Sequence, residues 1–300
     1  MIGYGTITPT PPLAPARVPP ANPERIFHHR VREIAAAQGF TEIYNYSFIS
    51  EAQARAFGFD PADLVQVANP IAEDQNLLRP TLLAGMWRSI ADNTRHFDSF
   101  RLFEIGREIH RDREIPHFTA AIFSKDDGVA GLLELKRLGD FLLAGLHVEP
   151  AAARSYEHPQ RAADVCSGDV RIGRLFEFHP KMIETGRAAV LDLDLTLLQK
   201  LQPAAVRYQP LRRFPTSAFD VTIAGEARST IGAAQAAIPR VPEILSIEFL
   251  RDFTLPDGRR SLSFRITAGA GDRTLSSDEA GAIRGSVIDA LMRAGYESRS

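Results

Sequence analysis

The chain has 300 residues, 44% of them hydrophobic and 24% charged, an ordinary globular composition with room for about two domains. Its formal charge is -2, from 35 basic and 37 acidic side chains, so any contact with nucleic acid has to come from a local patch. Cys166 is the only cysteine, which excludes an intramolecular disulfide, an iron-sulfur cluster and a thiolate-rich zinc site; with no membrane-length apolar run and no signal-peptide pattern, the expected location is cytoplasmic.

In chain order, seven of the twenty prolines fall within the first 23 residues, and residues 8–23 read as an extended connector. A chain that opens into a linker reads as a piece of something longer. Asn22 then supplies a helix cap with Pro23 at the first helical position, and Phe27, Val31, Ile34 and Ala35 recur at helical spacing until Gly39. The aromatic and β-branched run Glu42–Ile49 predicts a strand; Leu82, Leu83, Met86, Trp87 and Ile90 mark an amphipathic helix. Further strands are expected at 102–105 and 189–195, making an α+β domain with an antiparallel sheet over 24–205.

The second domain, 206–300, has the clearer pattern: strand 219–224, helix 228–238, strand 244–253, a hairpin at Pro256-Asp257-Gly258, strand 260–267, helix 277–294 and a short last strand. That order, β-α-β-β-α-β, is the ferredoxin-like arrangement. Ser276 and Glu279 form a capping box for the last helix, and Gly295 closes it.

Tests for chemistry are mostly negative. His28 and His29 are the only adjacent histidines and point about 100° apart on a helix, so no metal-ligand spacing emerges. His158 and His179, each before a proline, read as turn histidines satisfied by their surroundings. Gly269-Ala270-Gly271-Asp272-Arg273 follows a strand and precedes a helix, yet it lacks the third glycine and the Lys-Ser/Thr of a nucleotide loop.

The last domain carries the stronger signal. Alternation in 261–267 sets Ser261, Ser263, Arg265 and Thr267 against Leu262, Phe264 and Ile266, and the same reasoning places Asp220, Thr222, Glu248 and Asp252 on a polar sheet face. With Arg212, Arg213, Arg259 and Arg260 near its rim, that platform suits single-stranded RNA; a merely solvated face is the competing reading. Lys125, Lys136, Lys181 and Lys200 are the only lysines, and guanidinium forks suit phosphate, although a high-GC genome produces the same bias.

Several ordered segments resemble the C-terminal part of the bacterial phenylalanyl-tRNA synthetase beta-subunit family. They are Ile2–Ile7, Gly39–Phe48, Ala68–Ile71, Leu77–Leu83, Arg101–Gly106, Phe178–Pro180, Arg213–Pro215, Gly258–Leu262 and Arg273–Leu275. The resemblance implies that 1–23 is a linker with the tail of a preceding domain, 24–205 a class II synthetase-like domain without catalytic residues, and 206–300 an anticodon-binding domain. It also implies a catalytic alpha subunit in an alpha2-beta2 heterotetramer and phenylalanine tRNA as partners, with no membrane. ATP and magnesium are expected on the alpha subunit, and no cofactor, metal site or complete active site on this chain. Base-reading positions of the family match Thr222 and Ser261. Where the family has Asp-x-Tyr, this chain has Phe249-Leu-Arg-Asp-Phe253, so Asp252 and Phe253 stand in for the acceptor and the stacking ring; Phe219 replaces an arginine. Arg212 and Arg213 are expected phosphate contacts. A diverged assembly module that no longer touches RNA is the alternative.

Overall fold

In a computed structural model, which describes residues 3–13, 15, 18–70, 72–126, 130–201 and 212–299, the chain divides into two compact units, Met1–Val206 and Arg207–Ser300. The boundary expected at 205/206 lies outside the described residues.

The first unit opens with α1 (Pro23–Ala37), where Asn22 Oδ1 accepts a bond from Arg25 N at 3.0 Å and Phe27, Val31 and Ala35 are buried. Then come β1 (Thr41–Glu42), β2 (Phe48–Ile49), α2 (Glu51–Ala56), β3 (Leu77–Leu78) and α3 (Leu83–Asn93). They are followed by β4 (Ser99–Ile109), β5 (Glu114–Ser124), α4 (Ala130–Leu142), β6 (His147–Pro150), β7 (Glu157–Ser167), β8 (Val170–Phe178), β9 (Arg187–Asp194) and α5 (Leu195–Lys200). Among the described residues the main sheet runs β1-β4-β5-β9-β8-β7-β6, antiparallel except for the β1/β4 pair.

Both faces of this sheet are covered, which explains why its central strands read as nearly unbroken apolar runs. On one face Phe118, Ala120 and Ile122 of β5 meet α1, α4 and α5 through Val31, Leu135 and Leu198. On the other Ala121 and Phe123 meet α2 and α3 through Ala54, Met86 and Ile90. Helices therefore sandwich the sheet.

The continuous strand expected over 42–49 is not formed, a correction with a local cause. Only Thr41 and Glu42 pair with β4, and Phe48 and Ile49 pair instead with β3. Between them the backbone turns off the ladder because Asn45 bonds the Glu104 carboxylate, its N to Oε1 at 3.3 Å and its Nδ2 to Oε2 at 2.8 Å. Tyr44 and Tyr46 are left outside, 89% and 79% exposed.

The second unit contains β10 (Ser217–Gly225), α6 (Ile231–Ala237), β11 (Ile244–Thr254), β12 (Arg260–Ala268), α7 (Ser277–Arg293) and β13 (Glu297–Arg299). The element order is the expected β-α-β-β-α-β, and the sheet runs β11-β12-β10-β13 with antiparallel pairs throughout. Both hydrogen bonds of the Ser276/Glu279 capping box are present. Gly295 adopts φ +89° just beyond the Ala294 cap, a left-handed conformation that glycine enters without a Cβ clash. One face of the sheet packs Val221, Ile223, Leu262, Phe264 and Ile266 against Ala234 and Ile238 on the α6 side and Val287 and Leu291 of α7. Each large side chain so buried contributes roughly 1.5–3 kcal/mol relative to exposure.

Candidate nucleic-acid interface

Among the described residues, helices occupy only one face of the second unit's sheet, so the residues of opposite parity form the other face. Cross-strand register arranges them in rows, since partners directly opposite in an antiparallel pair share a side. One row holds Glu297, Ala224, Ser261 and Phe253; the next holds Arg299, Thr222, Ser263 and Arg251; a third holds Asp220, Arg265 and Glu248. Thr222 and Ser261, assigned from sequence, do share this face. Thr222 Oγ1 and Ser263 Oγ lie 3.0 Å apart in a hydrogen bond. Ser261 is 1% exposed, and its Oγ has no hydrogen-bond partner among the described residues. Phe253, directly across from it, is 48% exposed.

Asp252 is not on this face, which corrects the placement by simple alternation. Register passes from Phe249 opposite Phe264 to Arg251 opposite Ser263, leaving Leu250 without a partner. This bulge inverts the parity of the strand beyond it. Arg251 and Phe253 therefore turn to the helix-free face while Asp252 pairs with Leu262 on the helix-covered side. There its Oδ2 accepts bonds from Arg260 Nε at 2.8 Å and Nη2 at 2.5 Å, and Arg260 Nη1 also donates to Ser229 O at 2.9 Å. Arg260 is thus occupied, as is Arg259, paired with Asp257 at 2.8 Å and Glu297 at 2.5 Å. Arg212 and Arg213 are exposed and lead into the Ser217 end of β10, whereas Ser261 lies opposite Ala224 near the other end. Sequence reasoning missed Arg251 and Arg299 as residues of the face; neither makes an ion pair among the described residues.

Elsewhere on the face Asp220 is paired, while the exposed Glu248 has no ion pair among the described residues. Arg265 donates from Nε and Nη2 to the two oxygens of Asp220 at 2.9 and 3.0 Å, a fork-to-fork pair. That bond, more than the nearby charges of Arg265 and Arg251, lowers the Asp220 pKa.

The first unit holds a different kind of polar cluster, inside rather than outside. Glu104 is fully buried against Arg79 Nη1 at 2.6 Å and Asn45, and Arg79 Nε donates to Arg107 O at 3.2 Å. Nearby in the sheet, the His117 ring lies between two carboxylates, Nε2 at 3.3 Å from Glu108 Oε2 and Nδ1 at 3.4 Å from Asp192 Oδ1. Thr119 Oγ1 donates to the same Asp192 oxygen at 2.6 Å. Burial alone would lower the His117 pKa, but Asp192 and Glu108 outweigh it and raise it to about 9. Burial, followed by the Asp192 charge, raises Glu108 to about 8.

Glu108, His117 and Asp192 line a cavity of about 320 Å³ with Thr81, Arg154 and Tyr156. Ligand-type atoms of Glu108, His117 and Asp192 lie within 4.8 Å of one another, yet both ring nitrogens already face carboxylates, Nδ1 in a hydrogen bond with Asp192 and Nε2 in an ion-pair contact with Glu108. No spacing in the sequence marks it, because its members come from β4, β5 and β9. His179 sits at the turn after β8, as expected, whereas His158 lies within β7 and not in a turn; each Nδ1 accepts a backbone bond at 3.1 Å, from Lys181 N and Gln160 N. The Gly269–Arg273 segment connects β12 to α7.

Comparison with known proteins gives one family match: residues 7–195 fit the model described as the phenylalanyl tRNA synthetase beta chain CLM domain. The chain is 51% identical over 310 residues to a phenylalanine–tRNA ligase beta subunit of Solibacter usitatus, covering all of this chain and 40% of that protein. Beta subunits of the same description from Aromatoleum aromaticum and Anaeromyxobacter dehalogenans are 31% and 30% identical, across 88% and 99% of this chain and 36% and 41% of theirs. The chain thus spans about 40% of the length of the relatives it matches.

Proposed function

The chain belongs to the phenylalanyl-tRNA synthetase beta chain family, and from that premise we propose that it acts within a phenylalanine–tRNA ligase, docking on a catalytic alpha subunit through its first unit and binding the tRNA anticodon through its second. In this reading the first unit is a class II synthetase-like domain and the second a ferredoxin-like anticodon-binding domain, working in the cytoplasm as part of an alpha2-beta2 assembly. One observation carries the RNA-binding half: a helix-free sheet face on which an exposed ring, Phe253, stands opposite a hydroxyl, Ser261, that has no partner of its own. Rings on open sheet faces stack on unpaired bases, and a buried hydroxyl without a partner is a donor or acceptor kept for something else.

Non-catalytic service of the first unit is supported by Leu102–Ile105, which stands where the resemblance to class II synthetases implies an arginine motif that holds the ATP α-phosphate. A triphosphate needs cationic groups there. Leu102–Ile105 supplies instead the buried Glu104 carboxylate, already consumed by Arg79, so ATP and magnesium do not fit this site and belong to the partner in this reading. The exposed Tyr44 and Tyr46 suit a protein partner, because tyrosines are enriched at interfaces.

Binding of phenylalanine tRNA and of an anticodon-substituted tRNA to the chain, across a salt series, tests the proposal. Weaker binding of the substituted tRNA is the expected result. Equal binding would leave a nonspecific contact, and absence of binding, also in the assembled ligase, would favour an assembly module that does not touch RNA.

A further inference from the structure

Arg251, Ser263, Thr222 and Arg299 stand in a single row across all four strands of the second unit's sheet. The two central residues share a hydrogen bond, and since a hydroxyl pair uses only one of its two protons, one O–H remains available to a ligand. The two outer residues are exposed guanidiniums without an ion-pair partner among the described residues. Three interstrand steps of about 4.8 Å place their backbones roughly 14 Å apart. Two of the acidic neighbours on the same face are paired, Asp220 by the Arg265 fork and Glu297 by Arg259; Glu248, in the row of Arg265, has no ion pair among the described residues.

We propose that this row is a phosphodiester clamp for single-stranded RNA, with Arg251 and Arg299 taking phosphate oxygens on either side of the hydroxyl pair while the adjacent Ser261–Phe253 row meets a base. The inference rests on the reading of this face as an RNA interface. It adds a division of labour: one row holds backbone, the next reads. Planar guanidinium forks match phosphate in two-bond geometry, and unpaired cations flanking a hydroxyl pair with one proton to spare complement an anion. The bulge at Leu250 is what makes the clamp possible, because without the parity change residue 251 would face the helices.

The test uses the whole chain with two RNA hairpins, the phenylalanine tRNA anticodon arm and the same arm with its anticodon bases changed, titrated between roughly 50 and 200 mM salt. Each single substitution, Arg251→Gln or Arg299→Gln, should reduce the slope of log K against log salt by about 0.7, and the pair by about 1.4. Both hairpins should weaken by the same factor, while Arg251→Lys should retain the slope. An unchanged slope in the glutamine variants, with the unmodified chain still preferring the native arm, overturns the clamp and leaves the RNA reading standing. Unequal weakening of the two hairpins also overturns it, since the arginines would then be reading bases. Failure of the unmodified chain to bind either hairpin, also in the assembled ligase, overturns both.

Discussion

The guanidinium of Arg79 and the carboxylate of Glu104 meet at 2.6 Å inside the first unit, with side chains 4% and 0% exposed. Neither charge has water to fall back on. Removing one partner alone leaves the other unpaired in a low-dielectric interior, which typically costs 3–5 kcal/mol, whereas replacing both with apolar residues of similar volume is often neutral. Arg79→Met should therefore destabilise the first unit by roughly 3–5 kcal/mol, and Arg79→Met with Glu104→Gln, which removes the unpaired charge but keeps an acceptor for Asn45, should recover part of it. Chemical denaturation of the three proteins checks this. Equal stability of the single variant and the parent would show that the pair is not the strut its geometry suggests.

A pH dependence follows from His117 between Asp192 and Glu108. Its folded pKa of about 9 lies above the ordinary 6.5, so its contribution is fully present below 6.5 and is lost as pH rises through 9. Glu108, at about 8 against an ordinary 4.5, has the same sign: the folded state holds its proton, and stability falls as pH rises through 8. Together they are worth on the order of a few kcal/mol, titrating as a set. The melting temperature should fall between pH 6.5 and 9, with a shallower fall in His117→Gln. Scanning calorimetry at several pH values reads this directly, and a rising melting temperature across that window would contradict it.

Ser261→Ala should lower discrimination between native and substituted anticodons by about 1–3 kcal/mol if the hydroxyl meets a base edge. Asp252→Asn should leave that discrimination unchanged, because Asp252 lies on the helix side with Arg260. Competition binding with the two tRNAs separates these outcomes. Loss of selectivity in Asp252→Asn would mean that β11 is read in the other register.

Phe253→Ala should weaken single-stranded RNA by about 1–3 kcal/mol with little dependence on salt, and Phe253→Tyr should retain binding, because stacking needs the ring and not a charge. Binding isotherms at two salt concentrations suffice. A change in salt slope would point to rearranged arginines instead of lost stacking.

The cap at Asn22, the box at Ser276 and Glu279, the order of elements in the second unit and the shared face of Thr222 and Ser261 were all legible from residue order. Each depends on groups a few residues apart or on strict alternation within one strand, and such relationships are carried by local backbone geometry. The break at Asn45, the parity change at Leu250, the seat of Arg299 beside Thr222 and the enclosure of His117 by Glu108 and Asp192 were not. Alternation assumes an unbroken ladder, while a bulge exists only where two strands settle their register against each other. Likewise, the carboxylates that hold Asn45 and His117 arrive from other strands, so their charges and distances have no counterpart in local spacing. Sequence by itself determined the element order of the second unit and the caps at Asn22 and Ser276; tertiary pairing decided where the 42–49 segment leaves the ladder and which way Arg251, Asp252 and Phe253 face, because side-chain direction beyond an irregularity is a property of two strands together.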